Sequence, residues 1–514
     1  MKLKFNILSI ATAAMLGAGL SSCNDWLKVD MEDQVMENTL FSDYKGYRTA
    51  LNGIYQTMIP LYTTNFGPNI DVMAQTYNVS LNNSHTMANW ALYRYNTLET
   101  ENNTIWNSFY NIIANLNIII EHTEEDSNPL NATQYGMMRG EALGLRAMFH
   151  FDLLRLYGPI YSQDPDMVCI PYQASSHREI LPFLKASEVI DLVIKDLNEA
   201  AALLKDCDPI ITEGTKLTNI VDNGVNSYDT SFRQFRLNYY AVQALRARAY
   251  LWKGDKTTAY DIATKDIIDA ITTEDLEVFP WITREAATAN GMPDLVFSTE
   301  VMFSLYHNLR DLEFYNKYFI RTLGKGSRLT FPGEDVIGDS KVATLYESGD
   351  LRRNQWQSVE ATDAEKQEAE LVGGSAPNSL EFRKYASFDA NATTTGTEYY
   401  RYMVPLVRLS EVYLIAAECA PSEATGREYI NAIRAHRNCT DLDPNQDFKD
   451  AIFHEMYRET LGESQLFFYY KRLAYNYMLS GTSADGTVEM APDNYVMPTP
   501  LDELAQRATG GKRC

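Results

Sequence analysis

Asn238-Tyr239-Tyr240-Ala241-Val242-Gln243-Ala244-Leu245-Arg246-Ala247-Arg248-Ala249-Tyr250-Leu251-Trp252-Lys253-Gly254-Asp255 is the stretch whose reading decides the fold. Ala241, Leu245, Ala249 and Trp252 recur at three- and four-residue steps, the spacing of one helix face. Gly254-Asp255 breaks the pattern, and Ala259, Ala263 and Ile267 resume it on the far side. Small residues on both sides of a short turn predict two helices that pack closely as a hairpin.

A second pair is predicted over Val407 to Arg437, with Leu414 and Ala417 before the Pro421-Ser422 turn and Ala424, Ile430 and Ile433 after it. Both resemble tetratricopeptide-type helix pairs, although the characteristic tryptophan of the first helix is missing and the repeat is degenerate. Such units bury their faces only against neighbours, so they stack. Further helices are predicted over Thr104 to Glu121, where Ile105, Phe109, Ile112, Ile113, Leu116 and Ile120 share a face, over Met138 to Tyr157, and over Glu188 to Leu204. In the second of these Ala142, Leu145, Phe149 and Leu153 form the apolar stripe, with Glu141, Arg146 and Arg155 around it; Gly158-Pro159 ends it. Residues 206–235, 276–335 and 357–398 read as loops and short strands, Asp294-Leu295-Val296-Phe297 among them.

At the N-terminus, Lys2 and Lys4 precede an apolar run from Phe5 to Leu20. That run is shorter than the ~20 residues that cross a bilayer and reads as a secretory signal. Leu20-Ser21-Ser22-Cys23 resembles a bacterial lipobox, which makes Cys23 the expected site of lipidation. The expected division is a signal peptide over 1–22, a lipidated tether over 23–37 and a single domain over 38–514, with halves at about 38–235 and 236–514. With 514 residues, 45% of them hydrophobic, the chain can bury one large core or two smaller ones. Its formal charge of −23 disfavours nucleic acid and anionic surfaces. Its 6 cysteines are scattered without CxxC spacing, so at most one structural disulfide is expected.

Several catalytic and cofactor patterns fail where their chemistry is strict. His454-Glu455-Met456-Tyr457-Arg458 places a cation where a zinc helix needs its second imidazole. Asp441, Asp443, Asn445 and Asp447 alternate like an EF-hand loop, but Gln446 replaces its glycine and Ile452 its bidentate carboxylate. Gly462-Glu463-Ser464-Gln465-Leu466 lacks the second glycine of a nucleophile elbow, and Gly324-Lys325-Gly326-Ser327 lacks the spacing of a phosphate loop. No metal or cofactor is expected. A pair of carboxylates for glycoside hydrolysis remains open among 68 acidic residues.

The chain resembles the SusD/RagB family of outer-membrane nutrient-binding lipoproteins. The resemblance rests on Glu141-Ala142-Leu143-Gly144-Leu145-Arg146-Ala147 with Tyr157-Gly158-Pro159-Ile160, on Ala244-Leu245-Arg246-Ala247-Arg248 with Trp252-Lys253-Gly254-Asp255, on Pro405 to Leu414 with Ile430-Asn431-Ala432-Ile433-Arg434, and on Tyr495-Val496-Met497-Pro498-Thr499-Pro500. One departure is plain: where the family has Glu-Gly-x-Arg and then Asp, this chain has Glu463-Ser464-Gln465-Leu466 and Tyr469. The resemblance implies a mainly α, tetratricopeptide-like right-handed superhelix of about four helix pairs, with loop-rich insertions and a few short strands. It also implies a lipid-anchored location on the outer-membrane surface, a glycan ligand, and a SusC-like TonB-dependent receptor as partner. Ligand-facing insertions are expected at about 65–100, 276–335 and 350–400.

A neutral sugar offers an apolar face and a hydroxyl rim, so its site needs aromatic rings beside amides or carboxylates. The chain has 33 Tyr and 6 Trp. Trp106 and Trp252 lie on apolar stripes and read as packing; Trp26 lies in the tether. Trp90, after a polar run, is the leading ligand-binding candidate, together with its neighbours Asn89 and Tyr93 and with Trp281, Tyr306 and Trp356 in the insertions. Replacing Trp90 by alanine is expected to abolish polymer retention and leave the thermal midpoint nearly in place. Glycan capture without catalysis is the favoured function, ahead of a peptide-binding lipoprotein and of a polysaccharide-degrading enzyme.

Overall fold

The computed structural model describes residue 37 and residues 39–79, 85–177, 179–215, 231–324, 326–331, 341–376, 378–386, 401–483 and 485–508. Cys23, Trp26 and the expected signal segment lie outside the described residues.

The first half is laid down by α1 (Tyr44–Pro60), α2 (Gly67–Met73), the short α3 (Ala88–Ala91), α4 (Glu99–Glu124), α5 (Ala132–Tyr157) and α6 (Ala186–Lys205). The second adds α7 (Tyr239–Lys253), α8 (Lys256–Asp261), α9 (Leu409–Cys419), α10 (Glu423–His436), α11 (Phe448–Glu459), α12 (Leu466–Arg472) and α13 (Leu501–Ala508). Consecutive helices pack on one another through α4, α5, α6, α7 and α8, and again through α9, α10 and α11. The fold is mainly helical, as expected, and one apolar core runs through both halves from Phe41 to Met497.

Capping explains the two hairpins. The Asn238 side chain accepts the N–H of Ala241 and opens α7, Gly254 closes it at φ +93, and Asp255 accepts from Thr258 to open α8. Ser422 caps α10 in the same way. The later pair starts at Leu409, not Val407, because Met403–Arg408 is a strand (β6) paired antiparallel with Val301–Tyr306 (β3). The strands are otherwise short pairs: Val168–Ile170 (β1) with Leu184–Lys185 (β2), Trp356–Val359 (β4) with Ser379–Phe382 (β5), and Tyr477–Leu479 (β7) with Thr487–Glu489 (β8). Asp294 to Phe297 is not the strand its composition suggested. The Asp294 carboxylate accepts from the backbone and hydroxyl of Ser298, turning the chain so that Phe297 adopts φ +57.

The α5 helix departs most from its amphipathic reading. From Gly136 to Tyr157 it is buried on every side. Its polar side chains face protein and are paired there, as low-dielectric burial requires. Glu141 accepts from the Tyr55 hydroxyl at 2.8 Å and from Arg233 at 2.6 Å. Arg146 grips Asp196 at 2.7 and 2.9 Å. Gly140 supplies close approach: a Cβ there would stand 2.7 Å from Leu204 of α6.

The charged residues of the later hallmark form a second buried network. Arg408 and Arg437 both reach Glu459, Arg437 also reaches Glu300, and Arg352 bridges Asp350, Glu455 and Glu459. Ser464, the departure noted above, adopts φ +61, a conformation that suits glycine. Its hydroxyl donates to Gly67 O at 2.9 Å and its N–H to Asp71 at 3.0 Å, so local bonds offset the backbone cost.

Candidate functional site

Two of the expected insertions meet. The N–H of Thr86 donates to Gly326 O at 2.9 Å, and that of Asn78 to Thr330 O at 2.7 Å. His85 accepts the N–H of Met87 at Nδ1 and faces Arg328 O with Nε2 at 3.3 Å. A backbone carbonyl can only accept, so Nε2 carries the proton and the ring is neutral. Burial lowers its affinity for a second proton.

Where these loops lean on the start of α4 they leave an open cleft of about 590 Å³. Trp90 and Tyr318 supply aromatic wall, and Asn65 and Asn69 supply amides. Thr64, Thr86, Thr100, Thr104 and Ser327 line the same space. Tyr318 is held by donating to Thr64 O at 3.3 Å, and Lys317 Nζ lies 5.4 Å from the centre of the Tyr318 ring. Among the described residues the cleft wall carries one carboxylate, Glu101, and one ammonium, Lys317. A lining of rings, amides and hydroxyls with almost no net charge suits a neutral polyhydroxylated molecule.

The aromatic candidates scatter. Trp90 lines the cleft, but it lies on α3 and is only 4% exposed, and its neighbours Asn89 and Tyr93 are not part of the lining. Tyr93 turns inward, its hydroxyl donating to Met73 O at 2.7 Å. Trp356 is a core residue: it is 5% exposed, with Phe331 at 3.9 Å and Phe382 at 4.8 Å between ring centres. Trp281 stacks on His436 at 4.7 Å with the Arg437 guanidinium 5.3 Å from its ring centre, so its faces are engaged by α10 and its end. Tyr306 is 40% exposed and sits with Phe235 and Tyr402 at the end of β3, apart from the cleft lining. Trp106 and Trp252, read as packing, are 3% and 4% exposed. Tyr318, Asn65 and Asn69 were missed. Their one signal was position: all three fall inside the expected insertions.

The failed motifs have structural roles. Arg458 donates to Leu345 O and to Glu455, and Gly326 O accepts the N–H of Thr86. No cluster of metal-ligating side chains occurs among the described residues. Cys169, Cys207, Cys419 and Cys439 are free thiols. No helix among the described residues is long and apolar enough to cross a membrane.

Residues 25–217 match the family model described as starch-binding associating with outer membrane, and residues 357–499 match that of the SusD family. A SusD superfamily protein of Bacteroides thetaiotaomicron superposes with a TM-score of 0.66 at 20% identity, covering 90% of this chain and 98% of that one. A SusD-like carbohydrate binding protein of Bacteroides vulgatus gives 0.65 at 17% identity, covering 92% and 99%. A laminarin binding SusD-like protein gives 0.59 at 16% identity, covering 90% and 98%. At such identities these likenesses establish the fold. No curated protein matches the chain.

Proposed function

Since the chain belongs to the SusD family, whose members are in general carbohydrate-binding, non-catalytic proteins of the outer-membrane surface, we propose that it captures a neutral glycan in the cleft between α3, α4 and the 317–327 segment. The glycan then passes unaltered to a SusC-like TonB-dependent transporter. Cys23, acylated after removal of residues 1–22, anchors the chain to the membrane. The supporting observation is the cleft lining: rings, amides and hydroxyls converge with one carboxylate and one ammonium. The formal charge of −23 adds to this by repelling acidic polymers.

Electrophoresis through gels cast with laminarin, starch, arabinoxylan or galactomannan tests the reading. Retardation by one of them, without release of reducing ends, is expected. Thr86→Arg places a long cation at an exposed position of the cleft and is expected to remove the retardation. Retardation that survives this substitution moves the site elsewhere, and release of reducing ends makes the protein an enzyme.

A further inference from the structure

The α4 helix carries a second cleft on its other flank. Its volume is about 530 Å³, and its walls include Trp106, Asn107 and Tyr110 of α4, Gln173 and Glu179 of the loop after β1, and Arg507 of α13. The loop is firmly placed: the Gln173 N–H donates to His150 Nε2 at 2.9 Å, and the Tyr110 hydroxyl to Pro171 O at 3.0 Å. Arg507 donates to Leu181 O at 2.6 Å and covers the Phe183 ring at 3.9 Å. Of the two carboxylates that the described residues place on this wall, Glu503 is paired with Arg507 at 2.7 Å and Glu179 is exposed to solvent.

The surface between the clefts is uncharged. Residues 102–120 contain no Asp, Glu, Lys or Arg in a chain that is 22% charged. Thr104, Asn107, Asn111 and Asn115 are the exposed residues of that stretch, and their spacing sets them on a single stripe of α4. Solvent-facing helix stripes ordinarily carry charges; this one offers hydroxyl and amide groups. The Asn115 amide turns back to Asn111 O at 2.8 Å, whereas among the described residues the side chains of Asn107 and Asn111 make no hydrogen bond. Thr104 lines the first cleft and Asn107 lines the second. They lie one helical turn apart, about 4.5 Å along the axis.

We propose that the two clefts are one continuous binding track across α4, with the Thr104–Asn107 turn as its saddle, and that the ligand is a neutral polysaccharide long enough to occupy both. This rests on the glycan-binding reading of the first cleft and extends it from an oligosaccharide pocket to a polymer track. Amides and hydroxyls on the stripe exchange hydrogen bonds with sugar hydroxyls, and no charge on the stripe itself has to be desolvated. A chain seated in the first cleft meets the second at high effective concentration, so affinity rises with polymer length.

Calorimetric titration of the full chain in detergent with laminarin, starch, arabinoxylan and galactomannan, and with the trisaccharide of each, tests the track. The member that binds is expected to have a Kd at least about tenfold below that of its trisaccharide. Asn107→Arg, at an exposed helical position, is expected to abolish that gain while the trisaccharide Kd stays within about twofold; Asn107→Ala should act in the same direction with smaller amplitude. Equal affinities for polymer and trisaccharide overturn the track and leave the first cleft as a glycan site. A gain that survives Asn107→Arg also overturns it and leaves the stripe to a protein contact. Equal weakening of polymer and trisaccharide overturns it by placing the primary site in the second cleft. Failure of every member to bind overturns the glycan reading itself.

Discussion

Arg437 Nη2 lies 2.6 Å from Glu300 Oε2, and neither side chain is exposed to solvent. The contact joins the end of α10 to the segment that leads into β3, and so ties a repeat hairpin to an insertion. Glu300 also accepts the N–H of Ile282 at 2.9 Å, and Arg437 also donates to Glu459. Arg437→Met keeps much of the volume but takes from buried Glu300 its closest cation, while Glu459 keeps Arg352 and Arg408. Loss of one partner of such a pair costs about 3–5 kcal/mol, and chemical denaturation should show a loss of that order. A loss below about 1 kcal/mol would mean that water reaches the Glu300 carboxylate.

His150 confers acid sensitivity. Its Nδ1 lies 2.9 Å from Arg146 O and its Nε2 accepts from Gln173 N at 2.9 Å, an arrangement only a neutral ring can make. Burial pushes its pKa down to about 3 from 6.5. The folded value lies below the unfolded one, so this contribution is complete above about pH 6.5 and declines as pH falls toward 3. Between pH 7 and 4 the thermal midpoint of His150→Gln should fall by a few degrees less than that of the natural chain. Parallel curves would exclude His150 as the titrating group.

Ser464 holds a conformation that costs an L-residue roughly 1–2 kcal/mol, and its hydroxyl bond returns about 1 kcal/mol. Ser464→Gly removes both and should stay within about 1 kcal/mol of the natural chain. Ser464→Val loses the bond and crowds a β-branched side chain at φ +61, so unfolding in urea should show a loss of about 3 kcal/mol. Equal effects of the two substitutions would mean that the backbone conformation is not the constraint.

Trp90 tests the corrected reading of the cleft. At 4% exposure its removal empties core volume, and Trp90→Ala should lose about 3–5 kcal/mol of stability, contrary to the expectation drawn from its polar surroundings. Trp90→Phe retains part of the packing and should stay folded by circular dichroism with weakened polysaccharide retardation. A thermal midpoint unchanged in Trp90→Ala would restore the picture of an exposed ring.

The helical hairpins were legible because their signals are local. Asn238, Gly254 and Asp255 act within four residues of themselves, and a cap or a turn is written in its immediate neighbours. The polarity of α5 was not legible. Glu141 and Arg146 look like surface residues until Arg233 and Asp196 are placed against them. The burial of Trp356 was not legible for the same reason: in a polar-looking insertion it is covered by Phe331 and Phe382, which no periodicity places there.

By itself the sequence determined that the chain is a stack of helix pairs interrupted by loops, and which stretches those loops occupy, because helix periodicity and capping depend on residues a turn or two apart. Only the tertiary structure decided that the loops around Thr86 and Gly326 close on each other beside α4, that Tyr318 and Asn65 share the resulting cleft, and that a second cleft lies on the other flank of α4. Those relationships are set by burial and hydrogen bonding between segments far apart in the chain, where sequence spacing carries no distance.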